Sequence, residues 1–295
     1  MTKEHKGELF IFSGALAWSI FPVITVLTFK SLPSLISLAL GTFIAALAFL
    51  AIVIYRKKLH ELNNLLLWKY TLGIVIFIGV IFYILIFYGL TKTSAGNASI
   101  IGLFEVYTSY ILFHIIRKDP FSLESKIGSA LMILGAIIVL APNFQEFNQG
   151  DLFILLATFF PPLGNLFQQK AAQIASAESI LFLRSIISAP IILMIAYGFK
   201  QTLQIGQVQD SLIFLLLNGI FLLGLSKILW IEGIARISVT KSNALSSIAP
   251  LFTLLFAWLI LSETPSLWQI TSLIPFFLGT LLLTDNLKLN YAKSN

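Results

Sequence analysis

Residues Thr93–Ser122, TSAGNASIIGLFEVYTSYILFHIIRKDPFS, place one acid, Glu105, in an otherwise apolar segment. An ionisable side chain at the centre of a membrane span costs at least about 2.5 kcal/mol on the lenient insertion scales, so such a residue is more often functional than incidental. The positions stacked on its helix face are small: Gly102 and Ser109, with Ala98 a turn further out. A stripe of that kind either lets another helix approach closely or leaves room for a solute. Arg117 ends the segment twelve residues on, about 18 Å along a helix axis, which sets Glu105 near a bilayer midplane.

The whole chain shares this character. Of its 295 residues 58% are hydrophobic and 11% charged, and the mean hydropathy is +0.93, a composition that predicts an all-α integral membrane protein. Apolar segments of spanning length fall at about 9–29, 34–55, 68–90, 95–116, 124–141, 151–169, 178–199, 211–235, 242–261 and 267–284, giving ten expected transmembrane helices. The first is read as a span and not as a cleavable leader, being longer than a leader's apolar core with no small-residue cleavage site after it. There is no cysteine, and His5, His60 and His114 lie far apart, so neither a metal site nor a cofactor is expected.

Lysine and arginine set the orientation. With the amino terminus in the cytoplasm, the inner loops carry Lys3, Lys6, Arg56, Lys57, Lys58, Lys69, Arg117, Lys118, Lys126, Lys170, Arg236, Lys241, Lys288 and Lys293. The outer ones carry only Lys30, Lys92 and Lys200. Both termini are therefore expected to be cytoplasmic, in a bacterial inner membrane. The net charge of +6 then belongs to a lipid bilayer's inner face and calls for no nucleic acid.

Two internal matches indicate duplication. Gly7-Glu-Leu-Phe-Ile11 returns as Gly150-Asp-Leu-Phe-Ile154, and Gly89–Ser122 aligns without gaps on Gly233–Ser266, pairing Gly89 with Gly233, Ser94 with Ser238, Asp119 with Glu263 and Ser122 with Ser266. Residues 1–143 and 144–295 are thus expected to be two five-helix repeats. An odd number of spans per repeat makes the second copy inverted, an arrangement common in secondary transporters.

Residues 93–105 followed by Asp119-Pro-Phe-Ser122, and residues 237–250 followed by Leu261-Ser-Glu-Thr-Pro-Ser266, resemble the two signature segments of the EamA family of the drug/metabolite transporter superfamily. The resemblance runs from Gly14-Ala-Leu-Ala-Trp18 to the last span. It implies a ten-helix fold whose solute pathway is lined mainly by helices 1, 3, 4, 6, 8 and 9, with efflux of amino acids and metabolites as the commonest activity. Two positions depart from the family's pattern: Val106 stands where a proline usually follows the acid of helix 4, and Gly41 stands where helix 2 often carries an arginine.

Lys227 is the second deep charge, about 14 Å from the cytoplasmic end of its helix marked by Arg236. It falls opposite Tyr83 in the repeat alignment, so the two should stand on opposite walls of one pathway. Trp18, Tyr107 and Trp230 are aromatic groups at similar depth, and Asn165 follows Pro161-Pro162 in helix 6. Glu105, Lys227, Trp18, Tyr83, Asn165, Trp230 and Tyr107 are the expected substrate-binding residues, with packing as the competing role for each aromatic. A structural ion pair is the competing role for Glu105 and Lys227. Arg184 is read as snorkelling from a helix end, and Gln168 and Gln169 as solvated there.

The expected function is secondary transport of a small-molecule substrate by alternating access, export of amino acids or related organic amines, with a proton as coupling ion on Glu105. Uptake or exchange of a nucleotide-like or vitamin-like metabolite is the second reading. A membrane-embedded enzyme is disfavoured because no paired intramembrane aspartates and no deep histidine are present, so no catalytic residue is named.

Overall fold

The computed structural model describes residues 2–117, 122–141, 148–284 and 287. Asp119 of the repeat match, the expected repeat boundary at 143/144, and Lys118, Lys288 and Lys293 of the orientation argument lie outside the described residues. Within them there are helices and turns but no strand. This is the outcome lipid imposes, because an α-helix satisfies its backbone polar groups internally.

Nine stretches among the described residues are long and apolar enough to cross a membrane: α1 (Lys3–Thr28), α2 (Ser34–Tyr55), α3 (Leu65–Leu90), α4 (Ala95–Ile116), α5 (Leu123–Leu140), α6 (Gln149–Ala171), α7 (Ala177–Gly198), α8 (Ile205–Ile234) and α9 (Val239–Leu261). A shorter apolar helix of 17 residues, α10 (Leu267–Leu283), follows. Exposed apolar side chains such as Leu47, Leu72, Trp258 and Ile274 cover the outside.

The residues that match between repeats hold equivalent pieces of architecture. Ser94, Ser122, Ser238 and Ser266 are all N-caps, each side-chain oxygen accepting a backbone N–H three residues on, at 3.0–3.2 Å. The matched glycines make two twin crossings. A Cβ on Gly7 would meet Ile237 at 3.0 Å, and one on Gly233 would meet Ile11 at 2.3 Å, so α1 and α8 touch nearly backbone to backbone. A Cβ on Gly150 would likewise lie 2.7 Å from the Gly89 carbonyl oxygen, where α6 meets α3. The remaining helices pair as α2 with α7, α5 with α10 and α4 with α9.

The helices divide into continuous and interrupted ones. The paired helices α2, α5, α7 and α10 run unbroken. In contrast, α1 breaks at Ile20, α4 at Leu103, α6 over 158–160 and α9 over 247–248, while α3 and α8 widen into π-helical turns at Val75–Phe82 and Leu217–Leu225. Prolines Pro22, Pro161, Pro162 and Pro250 open the second halves of α1, α6 and α9. The fourth helix breaks without one: Leu103 and Val106 donate to carbonyls three residues back, at 3.0 Å each, so a tightened turn replaces the proline that Val106 displaces. Threonines satisfy carbonyls freed at two breaks. Thr253 Oγ1 donates to the Ser19 carbonyl (2.6 Å) and Thr108 Oγ1 to that of Thr158 (2.7 Å).

A polar tie closes each end of the bundle. At the end bearing the amino terminus, Lys241 Nζ of α9 reaches Glu8 (2.5 Å) and Glu4 (2.6 Å) of α1. At the other end Asp151 of α6 accepts from Thr93 Oγ1 and from Asn97 Nδ2 of α4 (3.4 Å), and Asn97 Oδ1 accepts from Gln269 Nε2 (2.7 Å). Glu8 matches Asp151, and Lys241 matches Asn97, in the two repeat alignments.

Candidate functional site

The interrupted helices enclose a cavity of about 190 Å³, room for on the order of ten waters or a small metabolite. Each break sits at its wall, as does the π turn of α3. Glu105 lies in the first turn after the break in α4, where the amino-terminal end of a helix favours an anion. Tyr83 and Ser226-Lys227 follow the π turns of α3 and α8 directly.

Six of the seven residues named from the sequence line this one cavity: Glu105, Lys227, Trp18, Tyr83, Asn165 and Trp230. Tyr107 does not; it packs against Phe104, with ring centres 4.9 Å apart. The stripe beside Glu105 is divided in use. Ala98 and Gly102 border the cavity, and nothing stands within 4 Å of where a Cβ on Gly102 would be. Ser109 instead accepts from Asn243 Nδ2 (2.8 Å), locking α4 to α9.

The charged side chains are held apart. Trp230 Nε1 donates to Asn165 Oδ1 (3.1 Å), which fixes the amide so that Asn165 Nδ2 points at Glu105 Oε1 (3.4 Å). Lys227 Nζ stands 3.2 Å from the centre of the Trp18 ring, a cation–π contact worth up to about 2 kcal/mol when desolvated. Trp18 is stacked on Phe21 (3.9 Å) and meets Tyr83 edge-on (6.4 Å), so its ring is a fixed platform. Among the described residues no carboxylate lies within 4.0 Å of Lys227, so Glu105 and Lys227 face one space without pairing directly.

Two readings from the sequence are corrected. Arg184 does not snorkel: it is 2% exposed and reaches the cavity wall, with its Cζ 5.8 Å from the centre of the Tyr83 ring. Gln168 is buried on the same wall and not solvated at a helix end, whereas Gln169 donates to the Ile234 carbonyl (3.1 Å). Both errors come from measuring depth along one helix, since an axial distance does not say which neighbour covers a side chain. The signal for Arg184 was present in the sequence, because a guanidinium opposite Gly41 breaks the symmetry of the two repeats.

Comparison with known proteins agrees with this architecture. The model of the EamA-like transporter family matches residues 5–141 and again 148–285. An uncharacterized transporter of Synechocystis sp. is 25% identical over 69% of this chain, and one of Methanothermobacter thermautotrophicus is 28% identical over 67%. These matches span 62% and 59% of the two relatives' own lengths, less than two thirds. An uncharacterized transporter of Haemophilus influenzae is 28% identical over 74% of each chain. A crystal structure with 16% identity superposes with a TM-score of 0.74 over 96% of this chain and 98% of the other, a likeness of fold. Two family matches, covering both repeats and with them nearly the whole chain, establish that this protein belongs to the EamA-like transporter family.

Proposed function

We propose that this chain is a secondary transporter of small metabolites that exports amino acids or related organic amines by alternating access, with a proton on Glu105 as the coupling ion. The observation that carries the reading is the cavity itself. Helices of both repeats enclose it, their breaks meet at its wall, and one carboxylate there faces two cations. Ten spans in two inverted halves, residues 1–143 and 144–295, would let one half rock against the other about this site. The same reading puts both termini in the cytoplasm and the chain in a bacterial inner membrane. The ties at the two ends, Glu8–Lys241 and Asp151–Asn97, are then the contacts broken in turn as each side opens. A zwitterion would set its ammonium on Glu105 and its carboxylate on the cationic wall, against the Trp18 and Tyr83 rings. Glu105, held by a single amide, would take up a proton when the ammonium leaves.

Flux in proteoliposomes tests this. A screen of amino acids and amines, with and without a pH gradient, should find a solute whose movement follows the gradient in the native protein. Glu105→Gln should abolish the gradient-driven component while leaving expression intact, and wild-type rates in that variant would remove Glu105 from the mechanism. Gly102→Leu fills open space and removes a helix glycine, so the fold should survive. Its flux should fall at least about tenfold, the effect of misplacing a bound substrate, and undiminished flux would move the pathway elsewhere.

A further inference from the structure

Among the described residues Arg184 is the one wall residue contributed by a continuous helix, and its chemistry is incomplete. It is among the largest fully buried side chains of the molecule. Gly79 of α3 makes room for it: a Cβ there would lie 3.5 Å from Arg184 Cγ and 2.2 Å from Ser188 Oγ. A buried guanidinium ordinarily has a carboxylate against it, because an uncompensated buried charge is strongly destabilising. Here no carboxylate lies within 4.0 Å among the described residues, and Nη1 has no hydrogen-bond partner. The Tyr83 ring lies beside the guanidinium, its centre 5.8 Å from Cζ, and the Nη1 donors stay unused. Gln168 Oε1 on the same wall is likewise without a partner, and the Tyr83 hydroxyl, beside the guanidinium, keeps its own proton to donate. They come from α6 and α3, so three helices that line one cavity carry polar atoms with bonding capacity to spare.

Lys227 is engaged differently. Its ammonium sits on the Trp18 ring, a contact that satisfies the cation without an anion. The fork of Arg184 suits a carboxylate better than a point charge does, since it can donate two parallel bonds. Resting on the transport reading of the cavity, we propose that Arg184, Tyr83 and Gln168 form a carboxylate-accepting subsite, so that the solutes carried are carboxylate-bearing metabolites and not the corresponding plain amines. The guanidinium and the phenol donate to the carboxylate, and Gln168 Oε1 accepts from an adjacent N–H or O–H of the solute. With two cations and one carboxylate on the wall, a solute carrying a single carboxylate is favoured over a phosphate of higher charge.

The test compares matched pairs on the purified full-length chain: leucine with 3-methylbutylamine, phenylalanine with 2-phenylethylamine, and inorganic phosphate as a third arm. Ligand-induced stabilisation is read from thermal unfolding, and flux of the same compounds is read in liposomes. The acids should stabilise the native protein and be carried, and their amines and phosphate should not. Tyr83→Phe removes only a hydroxyl and keeps the ring beside Arg184, so the fold should survive while its affinity for the acids falls about 3- to 10-fold. Arg184→Gln should weaken the acids by about 10- to 100-fold, and Arg184→Lys should recover part of that. If Arg184→Gln fails to fold, Tyr83→Phe decides alone. Unchanged affinity in both variants, binding of phosphate alone, or no binding by any acid overturns the subsite. Amines bound and carried as well as their acids also overturn it, yet leave the transport reading standing. If nothing in the flux screen is carried, the transport reading falls as well.

Discussion

The two ends of the bundle use the same positions of the repeat for different chemistry. Where the amino terminus lies, Glu8 and Lys241 form an ion pair whose side chains are 32% and 34% exposed. At the other end Asp151, 1% exposed, is held by hydroxyl and amide donors from Thr93 and Asn97. An exposed ion pair is weak and salt-sensitive, whereas donors left facing a missing buried acceptor bear a full desolvation cost. The two repeats therefore place a tie at equivalent positions, and the residue types found there set its strength. On the transport reading, the terminal end is the easier one to open.

The largest expected effect that would sharpen this contrast is at the buried tie. Asp151→Ala strands the Thr93 and Asn97 donors and should cost about 2–3 kcal/mol, measured as unfolding in detergent. A loss under about 1 kcal/mol would mean that both ties are equally weak. Copying the buried end's residue onto the exposed end, Lys241→Asn, should change stability by less than about 1 kcal/mol. The informative readout there is ionic strength, because the native protein's salt dependence of flux should shrink in the variant. An unchanged salt dependence would show that the Glu8–Lys241 pair does not govern that end.

The smallest effect concerns Glu263, between α9 and α10, beside the buried tie. Burial pushes its carboxyl above the usual range, against the pull of the backbone amides of Gly96 and Ala95. A raised folded value means the folded chain holds this proton more tightly than the unfolded chain. Its contribution is therefore present below the ordinary value of 4.5 and lost as pH rises through the higher folded value. Glu263→Gln should flatten that part of the stability–pH curve and leave the rest. If the curve keeps its slope, another group sets the pH response at this end.

Much of the fold was legible because lipid leaves few choices. Apolar runs of spanning length show in the sequence directly, and the matched serines and glycines show there as repeat marks, while their roles as N-caps and helix crossings came from the structure. Glu105, Lys227 and Asn165 stood out because a polar group in an apolar run needs a reason. Tyr107 illustrates the limit: its depth is right, but its ring turns toward Phe104 and away from the cavity. The break in α4 was hidden as well, since Val106 gives no sign of the tightened turn that forms at Leu103.

By itself, then, the sequence determined that the chain lives in a membrane, that it is built of helices, and that it contains one unit twice. Those properties depend on composition and period, which any stretch of chain displays without its neighbours. Only the tertiary structure decided which charges share a space. Lys227 went to the face of Trp18, Glu105 to the amide of Asn165, and Arg184 from an expected helix end to the cavity wall. A side chain's partner is set by the helix packed against it, and in this fold those partners lie 60 or more residues away along the chain.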